Sequence, residues 1–325
     1  MIKLLPILAL LLSAGGIAIL LASSVGRKIQ DVPNARSLHT RPTPRIGGLG
    51  VMAGILAAWA MLFPSLVWWL VLPLIALLVV SLLDDIHNLP VRGRLVVQLA
   101  AGMVLVAGSG VYASEGIIPA LAMVFFCVWM TNLYNFMDGS NGLAGGMTLF
   151  GFAFYGVAAW MGQDETFALL SFSVSAAALG FLYFNFPQAK VFMGDAGSIP
   201  LGFLAASMGV WGWMRGLWPV WFPLLVFSPF IIDATITLIK RAIRGAKVTE
   251  AHREHYYQRV IQMGLGHRNL ALLEYVLMLC VGSSGLLWLQ QPFPLGLIVV
   301  WAAIYTACML MIDVRWARFI QGQIK

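Results

Sequence analysis

Eleven apolar runs, spaced along nearly the whole chain, constrain this sequence more than any other feature. They lie near 2–24, 47–63, 66–83, 95–110, 117–134, 143–161, 166–184, 199–214, 218–239, 270–290 and 293–313. About 17–25 apolar residues in helical form are enough to cross the hydrocarbon core of a bilayer. Within lipid, only helices and closed barrels satisfy every backbone N–H and C=O, and the period-2 alternation of a barrel is missing. The expectation is an all-α, polytopic integral membrane protein of about eleven transmembrane helices. It is read as a single membrane-embedded domain over 1–325, with a cytoplasmic loop at about 240–269 holding one short helix. The first run carries Lys3 and ends in Ala22, Ser23 and Ser24, as a signal peptide would. It is long enough to span and is followed by further spans, so it reads as the first membrane helix. Cys127, Cys280 and Cys308 fall inside apolar runs and are expected to be buried packing residues rather than disulfide partners or metal ligands.

Charge sets the orientation. Of the 20 Lys and Arg residues, 18 fall in alternate gaps between the runs or in the C-terminal tail, and only Lys3 and Arg215 fall on the other side. The positive-inside rule makes the rich side cytoplasmic. An odd number of spans then puts the N-terminus outside and the C-terminus in the cytoplasm. The net charge of +7 is explained by this topology, and a nucleic-acid partner is not expected.

The chain is 60% hydrophobic and only 10% charged, so acidic residues are scarce. Four of them, Asp84, Asp85, Asp138 and Asp195, sit at the cytoplasmic rims of apolar runs. Ionisable groups at such places are costly and are functional candidates by default. Asp84 and Asp85 in SLLDDIHNLP repel each other unless a cation or base lies nearby, and their hard oxygens suit magnesium. The alternative is a solvated helix-end pair, which the helix macrodipole disfavours. NLYNFMDGSNGLAGG gathers Asn132, Asn135, Asp138 and Asn141 with glycines that permit tight turns; a polar hinge between helices is the plainer reading. NFPQAKVFMGDAGS sets Asn185, Lys190, Phe192 and Asp195 before a helix start, where free backbone N–H groups suit phosphate oxygens. There Phe192 could stack on a base, while Asp195 could simply cap the helix. The first loop, NARSLHTRPTPRIGGLG, offers Arg45 and neighbouring basic groups to an anion. In TEAHREHYYQRVIQMGLGHR, His252 and His255 share one helical face with Arg253 between them. A zinc site would want a further ligand, and phosphate binding is the more economical reading. Asp233, inside the ninth run, reads as a structural contact or a support for another side chain.

Taken together, HTRPTPRIGG, LLDDIHNLP, NLYNFMDGSNGLAGG, NFPQAKVFMGDAGS and HREHYYQR resemble the polyprenyl-phosphate N-acetylhexosamine-1-phosphate transferase superfamily, of glycosyltransferase family 4 type. The resemblance covers most of the chain, in order and on one face, and is nearest to the bacterial branch that initiates O-antigen and related polysaccharides. It implies transfer of a sugar 1-phosphate from a UDP-N-acetylhexosamine, GlcNAc or a 6-deoxy N-acetyl sugar, to undecaprenyl phosphate, with release of UMP. It also implies a bacterial inner-membrane setting, a cytoplasmic active site and a magnesium cofactor, with manganese open as a substitute. A homodimer is left open. By matching position, Asp195 resembles the magnesium ligand, supported by Asp85, and Asp84 and Asp85 the essential acidic pair. Asn185 and Phe192 resemble uridine contacts, and His252 and His255 the histidines that meet the diphosphate. Asn141 stands where the family usually has a second Asp. HREHYYQR replaces the run of histidines typical of phospho-MurNAc-pentapeptide transferases, which makes peptidoglycan synthesis the alternative. A secondary transporter is the rival from another class, but it predicts polar groups near the midplane and repeated halves.

The acceptor phosphate, with a second pKa near roughly 6, needs little help from a base. Direct attack on the sugar-bearing phosphate is expected, with Asp84 deprotonating or orienting the acceptor. A double displacement through an aspartyl nucleophile is the alternative.

Overall fold

The structure, a computed structural model, describes residues 2–33, 38, 41–247, 250 and 252–323. His39 and Thr40 of the HTRPTPRIGG motif lie outside the described residues. Every apolar run forms helix. A 3-10 turn, Ile2–Leu4, leads into α1 (Leu5–Ala22), followed by α2 (Ser24–Lys28), the short strands β1 (Gln30–Asp31) and β2 (Thr43–Pro44), and α3 (Gly47–Ala60). Then come α4 (Trp68–His87), α5 (Val91–Ser109), α6 (Val111–Glu115), α7 (Ile117–Phe136), α8 (Leu143–Met161), α9 (Glu165–Asn185) and α10 (Asp195–Met214). The chain closes with α11 (Trp221–Val226), α12 (Ser228–Ile243), α13 (Tyr256–Gln262), α14 (His267–Leu287) and α15 (Leu295–Gln323). The two strands pair antiparallel, Gln30 opposite Pro44.

This is an all-α polytopic membrane protein. Among the described helices, eight are long and apolar enough to cross a bilayer. Four of the eleven runs depart from a simple span in instructive ways. The second run gives α3, only 14 residues long. The eighth gives α10, which starts on Asp195 rather than at 199. The ninth breaks at Phe227 into α11 and α12, where Ser228-Pro229 opens a new helix; Pro suits the first turn because it has no N–H to leave unpaired. The last run continues to Gln323, and 29 residues at the helical rise make about 43 Å, more than a bilayer core needs.

Helix α10 is the axis of the fold. It is buried from Ala196 to Gly212 and packs on α3, α4, α5, α7, α8 and α11. Small residues allow close approach: a Cβ on Gly202 would lie 2.5 Å from the Met130 carbonyl of α7. Helices α1, α3, α8 and α9 form a second packed group, and α15 meets the rest mainly through α13. Cys127 is buried as expected, but Cys280 and Cys308 are exposed. The expectation of three buried thiols is therefore corrected: α14 and α15 are peripheral helices, and an apolar run buries only the face that meets protein.

Candidate active site

The site is built on the N-terminus of α10. Backbone bonds clamp the segment before it to the start of α3: Gly47 N donates to Phe192 O (2.9 Å), Gly48 N to Met193 O (2.8 Å) and Phe192 N to Pro44 O (2.8 Å). Gly194 turns the chain at φ +74°, and a Cβ there would lie 3.0 Å from Asp85 Oδ2. Asp85 accepts from the amides of Asp195 (3.1 Å) and Ala196 (2.9 Å). Asp84 and Asp85 lie in the last turn of α4, where the macrodipole opposes them. Asp85 is compensated by the positive N-terminus of α10. Asp84 accepts from Leu89 N (2.6 Å) and from Arg94, on the first turn of α5.

Arg94 joins the parts. Its guanidinium pairs with Asp84 and also reaches Asp195 Oδ2 (3.1 Å). Asn135 donates to the other Asp195 oxygen (2.8 Å) and to Ser198 Oγ (3.0 Å). Asn132 donates to Gln98 Oε1 (2.7 Å) and, one turn back, to Val128 O (2.8 Å). Among the described residues none donates a hydrogen bond to the Asp138 carboxylate. Burial, and then the charges of Asp195 and Asp85, push its pKa well above the usual carboxylate range. The loop carrying Asp138 is held on both sides of it: Tyr257 OH donates to Phe136 O (3.0 Å), Tyr275 OH to Gly142 O (2.8 Å), and the Ser140 side-chain Oγ meets His267 Nδ1 (2.9 Å). Asn185 is buried and braces two loops, accepting from Gly142 N (2.6 Å) and donating to Val191 O (2.8 Å). Among the described residues Asn141 reaches only the Pro187 carbonyl (3.3 Å).

The large loop is folded down by ion pairs. Glu254 meets Arg241 and Arg244, while Asp313 of α15 meets Lys240 (2.5 Å) and Arg259 (3.0 Å). These contacts hold the His252 and His255 rings 4.9 Å apart. Burial, helped by the neighbouring His255 and the Arg241 charge, lowers the His252 pKa to about 4, so this imidazole is neutral at pH 7. Its Nδ1 accepts from Glu254 N (3.3 Å).

A groove of about 580 Å³ runs between α5, α7, α10 and α12. Arg94, Asn132, Asn135, His252 and His255 line it where α7 ends, and Leu95, Phe125, Val128 and Trp129 continue it along apolar surface. From Phe125 to Asn135 is about 15 Å of helix.

The structure thus brings Asp84, Asp85, Asp195 and Asn135 into one bonded cluster, with Asn132, His252 and His255 sharing its groove. Arg45 pairs with Asp31 (2.6 Å) and lies close enough to Asp138 to oppose its charge. Phe192 is half-buried, whereas Lys190 and Arg253 are exposed. Sequence reasoning missed Arg94 and Gln98. Arg94 was accounted for as a topology charge; its spacing after the Asp pair, one tight turn into the next helix, was the usable signal.

Among the described residues no three His, Cys, Asp or Glu side chains converge as a ready metal cage. Magnesium does not need one, since one or two carboxylates plus substrate phosphates suffice. Among the described residues Arg94 faces both Asp84 and Asp195, and Asp138 beside them accepts no hydrogen bond and is opposed only from a distance by Arg45, which leaves an excess of negative charge that a hard divalent cation would relieve. The donor set fits such an ion.

A family match falls on this part of the chain. Residues 67–212, which carry the Asp pair, the DGSNG loop and Asp195, match the model of glycosyl transferase family 4. The chain is 27% identical to a probable undecaprenyl-phosphate N-acetylglucosaminyl 1-phosphate transferase of Bacillus subtilis, over 90% of this chain and 85% of that protein. It is 28% identical to a decaprenyl-phosphate N-acetylglucosaminephosphotransferase of Mycolicibacterium smegmatis, over 86% and 81% of the two chains. It is 27% identical to the undecaprenyl-phosphate alpha-N-acetylglucosaminyl 1-phosphate transferase of Escherichia coli K12, over 82% and 78%. The family match thus lies on the acidic cluster, and the chain is similar along most of its length to polyprenyl-phosphate N-acetylglucosamine 1-phosphate transferases.

Proposed function

We propose that this protein transfers a sugar 1-phosphate from a UDP-N-acetylhexosamine to undecaprenyl phosphate at the cytoplasmic face of the bacterial inner membrane. UMP leaves, and the lipid-linked sugar diphosphate starts a cell-surface polysaccharide such as O-antigen. The observation that carries the reading is the groove: its polar end adjoins Asp195 at the buried start of α10, and its apolar length suits a polyprenyl chain. The relatives named above act, by their names, on undecaprenyl or decaprenyl phosphate and N-acetylglucosamine, which makes UDP-GlcNAc the first donor to test. A transporter would gather its polar groups at the midplane; here they gather where α4 and α7 end and α10 begins.

Phosphoryl transfer asks mostly for positioning and charge neutralisation. Asp195 would hold magnesium, with the Asp138 carboxylate, which accepts no hydrogen bond among the described residues, close enough to feel its charge. Asp85, whose oxygens both accept from α10 amides, fixes Asp195 from behind. Bound magnesium supplies charge neutralisation on the donor diphosphate. An oxygen of the lipid phosphate attacks the sugar-bearing phosphorus, the bond between the two donor phosphates breaks, and UMP takes the electron pair. The ion pair with Arg94 favours an orienting Asp84 over a basic one, and Arg94 itself lines the groove where the acceptor phosphate would stop. His252, neutral and with Nδ1 engaged, offers an Nε2–H donor to a phosphate oxygen.

Purified protein is to be incubated with undecaprenyl phosphate, magnesium and a panel of UDP-sugars that includes GlcNAc and the 6-deoxy N-acetyl sugars. UMP release with formation of the lipid diphosphate is expected, and chelation of divalent ions should abolish it. No UMP from any donor would sink the reading. Turnover surviving in Asp195→Asn with unchanged magnesium dependence would sink the metal assignment.

A further inference from the structure

Asp233 stands inside α12 and is 7% exposed. A buried carboxylate in an apolar helix is costly unless its oxygens are satisfied. Here four donors converge on it: Tyr256 N (2.9 Å), Thr237 Oγ1 (3.1 Å) and His255 Nδ1 (3.3 Å) at Oδ1, and Tyr257 N (2.9 Å) at Oδ2. Three of the four belong to one stretch, 255–257, which the chain reaches only after leaving α12 and returning. Asp233 therefore grips the large loop at the point where His255 enters the groove.

The consequence falls on the His255 ring. It is 3% exposed and stacks on Phe136 (6.2 Å) and Tyr257 (5.9 Å). Nδ1 is turned to a carboxylate, which needs a donor, so the Asp233 contact favours the Nδ1–H form over the capping-box contact of the same side chain with the Gln258 amide, and Nε2 is then the ring atom left for the groove that His255 lines. Its neighbour His252 is set the other way, because its Nδ1 accepts from the Glu254 amide and the hydrogen must sit on Nε2. The partner of one ring nitrogen decides what the other can do.

We infer that Asp233 is a positioning residue for the transfer reaction: it anchors the start of α13 and holds His255 in the Nδ1–H form with Nε2 presented to the groove. This rests on the transferase reading for its kinetic consequence but not for its geometry. Asp233 touches no substrate; it acts through His255.

The geometry is tested without turnover. The chain has five histidines, so selective ¹⁵N-histidine labelling of the purified protein gives a short spectrum, with His255 assigned by its loss in His255→Gln. His255 should carry its hydrogen on Nδ1 in the wild type, and Asp233→Asn should shift it to the other or a mixed form. A wild-type His255 with bare Nδ1 overturns the inference whether or not any donor is turned over, and needs no folded Asp233 variant. In the UMP assay, Asp233→Asn should lower kcat about 10–100-fold while KM for both substrates stays within about threefold. In a His255→Gln background the same change should cost less than about threefold, because residues acting as a unit do not add. Multiplicative losses, or wild-type kcat in Asp233→Asn, overturn it. A wild type that releases no UMP overturns the proposed function instead and leaves the tautomer to decide this inference.

Discussion

Arg94 carries more of the acidic cluster than its ordinary place in a topology count suggests. It bridges Asp84 on α4 and Asp195 on α10 through a single nitrogen, Nη1, while lining the groove, which leaves the rest of the guanidinium fork for an anion. Arg94→Ala is expected to lower UMP release about 100-fold, the scale found when one preorganised donor is lost. Arg94→Lys should recover less than tenfold of that, since an ammonium that takes both carboxylates, as Nη1 does here, has no further nitrogen to offer the acceptor; full recovery would show that charge alone suffices. His252 makes a prediction of a different kind. Its pKa is lowered to about 4 in the fold, chiefly by burial, against about 6.5 for an unperturbed histidine. The unfolded chain therefore binds the extra proton first, and stability falls as pH drops from about 6.5 to 4. His252→Gln should flatten that part of the profile, read as thermal midpoint against pH in detergent. An unchanged slope would remove His252 as its source.

At the scale of elements, glycine decides how close α3 can come to α10. A Cβ on Gly48 would meet Gly197 N at 2.3 Å and Gly197 Cα at 2.4 Å, both backbone atoms that cannot rotate away. Gly48→Ala should destabilise by about 1–3 kcal/mol through overpacking and should loosen the α10 start, whereas Gly15→Ala, with nothing within 4 Å, should be neutral or slightly stabilising. Equal thermal midpoints for the two variants would contradict this account. The same elements explain what was legible beforehand. Spans were readable because lipid demands long apolar helices whatever the tertiary packing. The break at Phe227 was not, because both halves of that run are apolar and only Ser228-Pro229 marks it. The rim positions of Asp84, Asp138 and Asp195 could be read from charge scarcity alone. What Asp85 does could not: its partners are the Asp195 and Ala196 amides, more than a hundred residues on, and side-chain type says nothing about a distant helix terminus. Asp233 could be read as a structural contact or a support for another side chain, but its partners could not, since three of its four donors lie in a loop that returns to it.

For the whole molecule, orientation connects the cluster to its substrates. If 18 of 20 basic residues mark the cytoplasmic side, the large loop, the acidic cluster and the polar end of the groove all meet the inner leaflet, where a nucleotide-linked donor and a lipid phosphate can be brought together. Helix α15 supports the same assignment. Its excess length beyond a bilayer core lies at the end that carries Arg315 and Arg318, and Asp313 there binds Lys240 and Arg259, so the loop and the C-terminal helix share one face. A cysteine-free variant with Cys127, Cys280 and Cys308 replaced gives the background for a direct test. Gln291→Cys, in the turn between α14 and α15, should react with a membrane-impermeant maleimide on intact cells. Arg253→Cys, exposed in the large loop, should react only after permeabilisation. The reverse pattern would put the acidic cluster outside, away from any cytoplasmic nucleotide sugar, and the transfer scheme would fail with it; labelling of both sites on intact cells would mean that the loop and the α14–α15 turn do not lie on opposite faces, which an α14 span forbids.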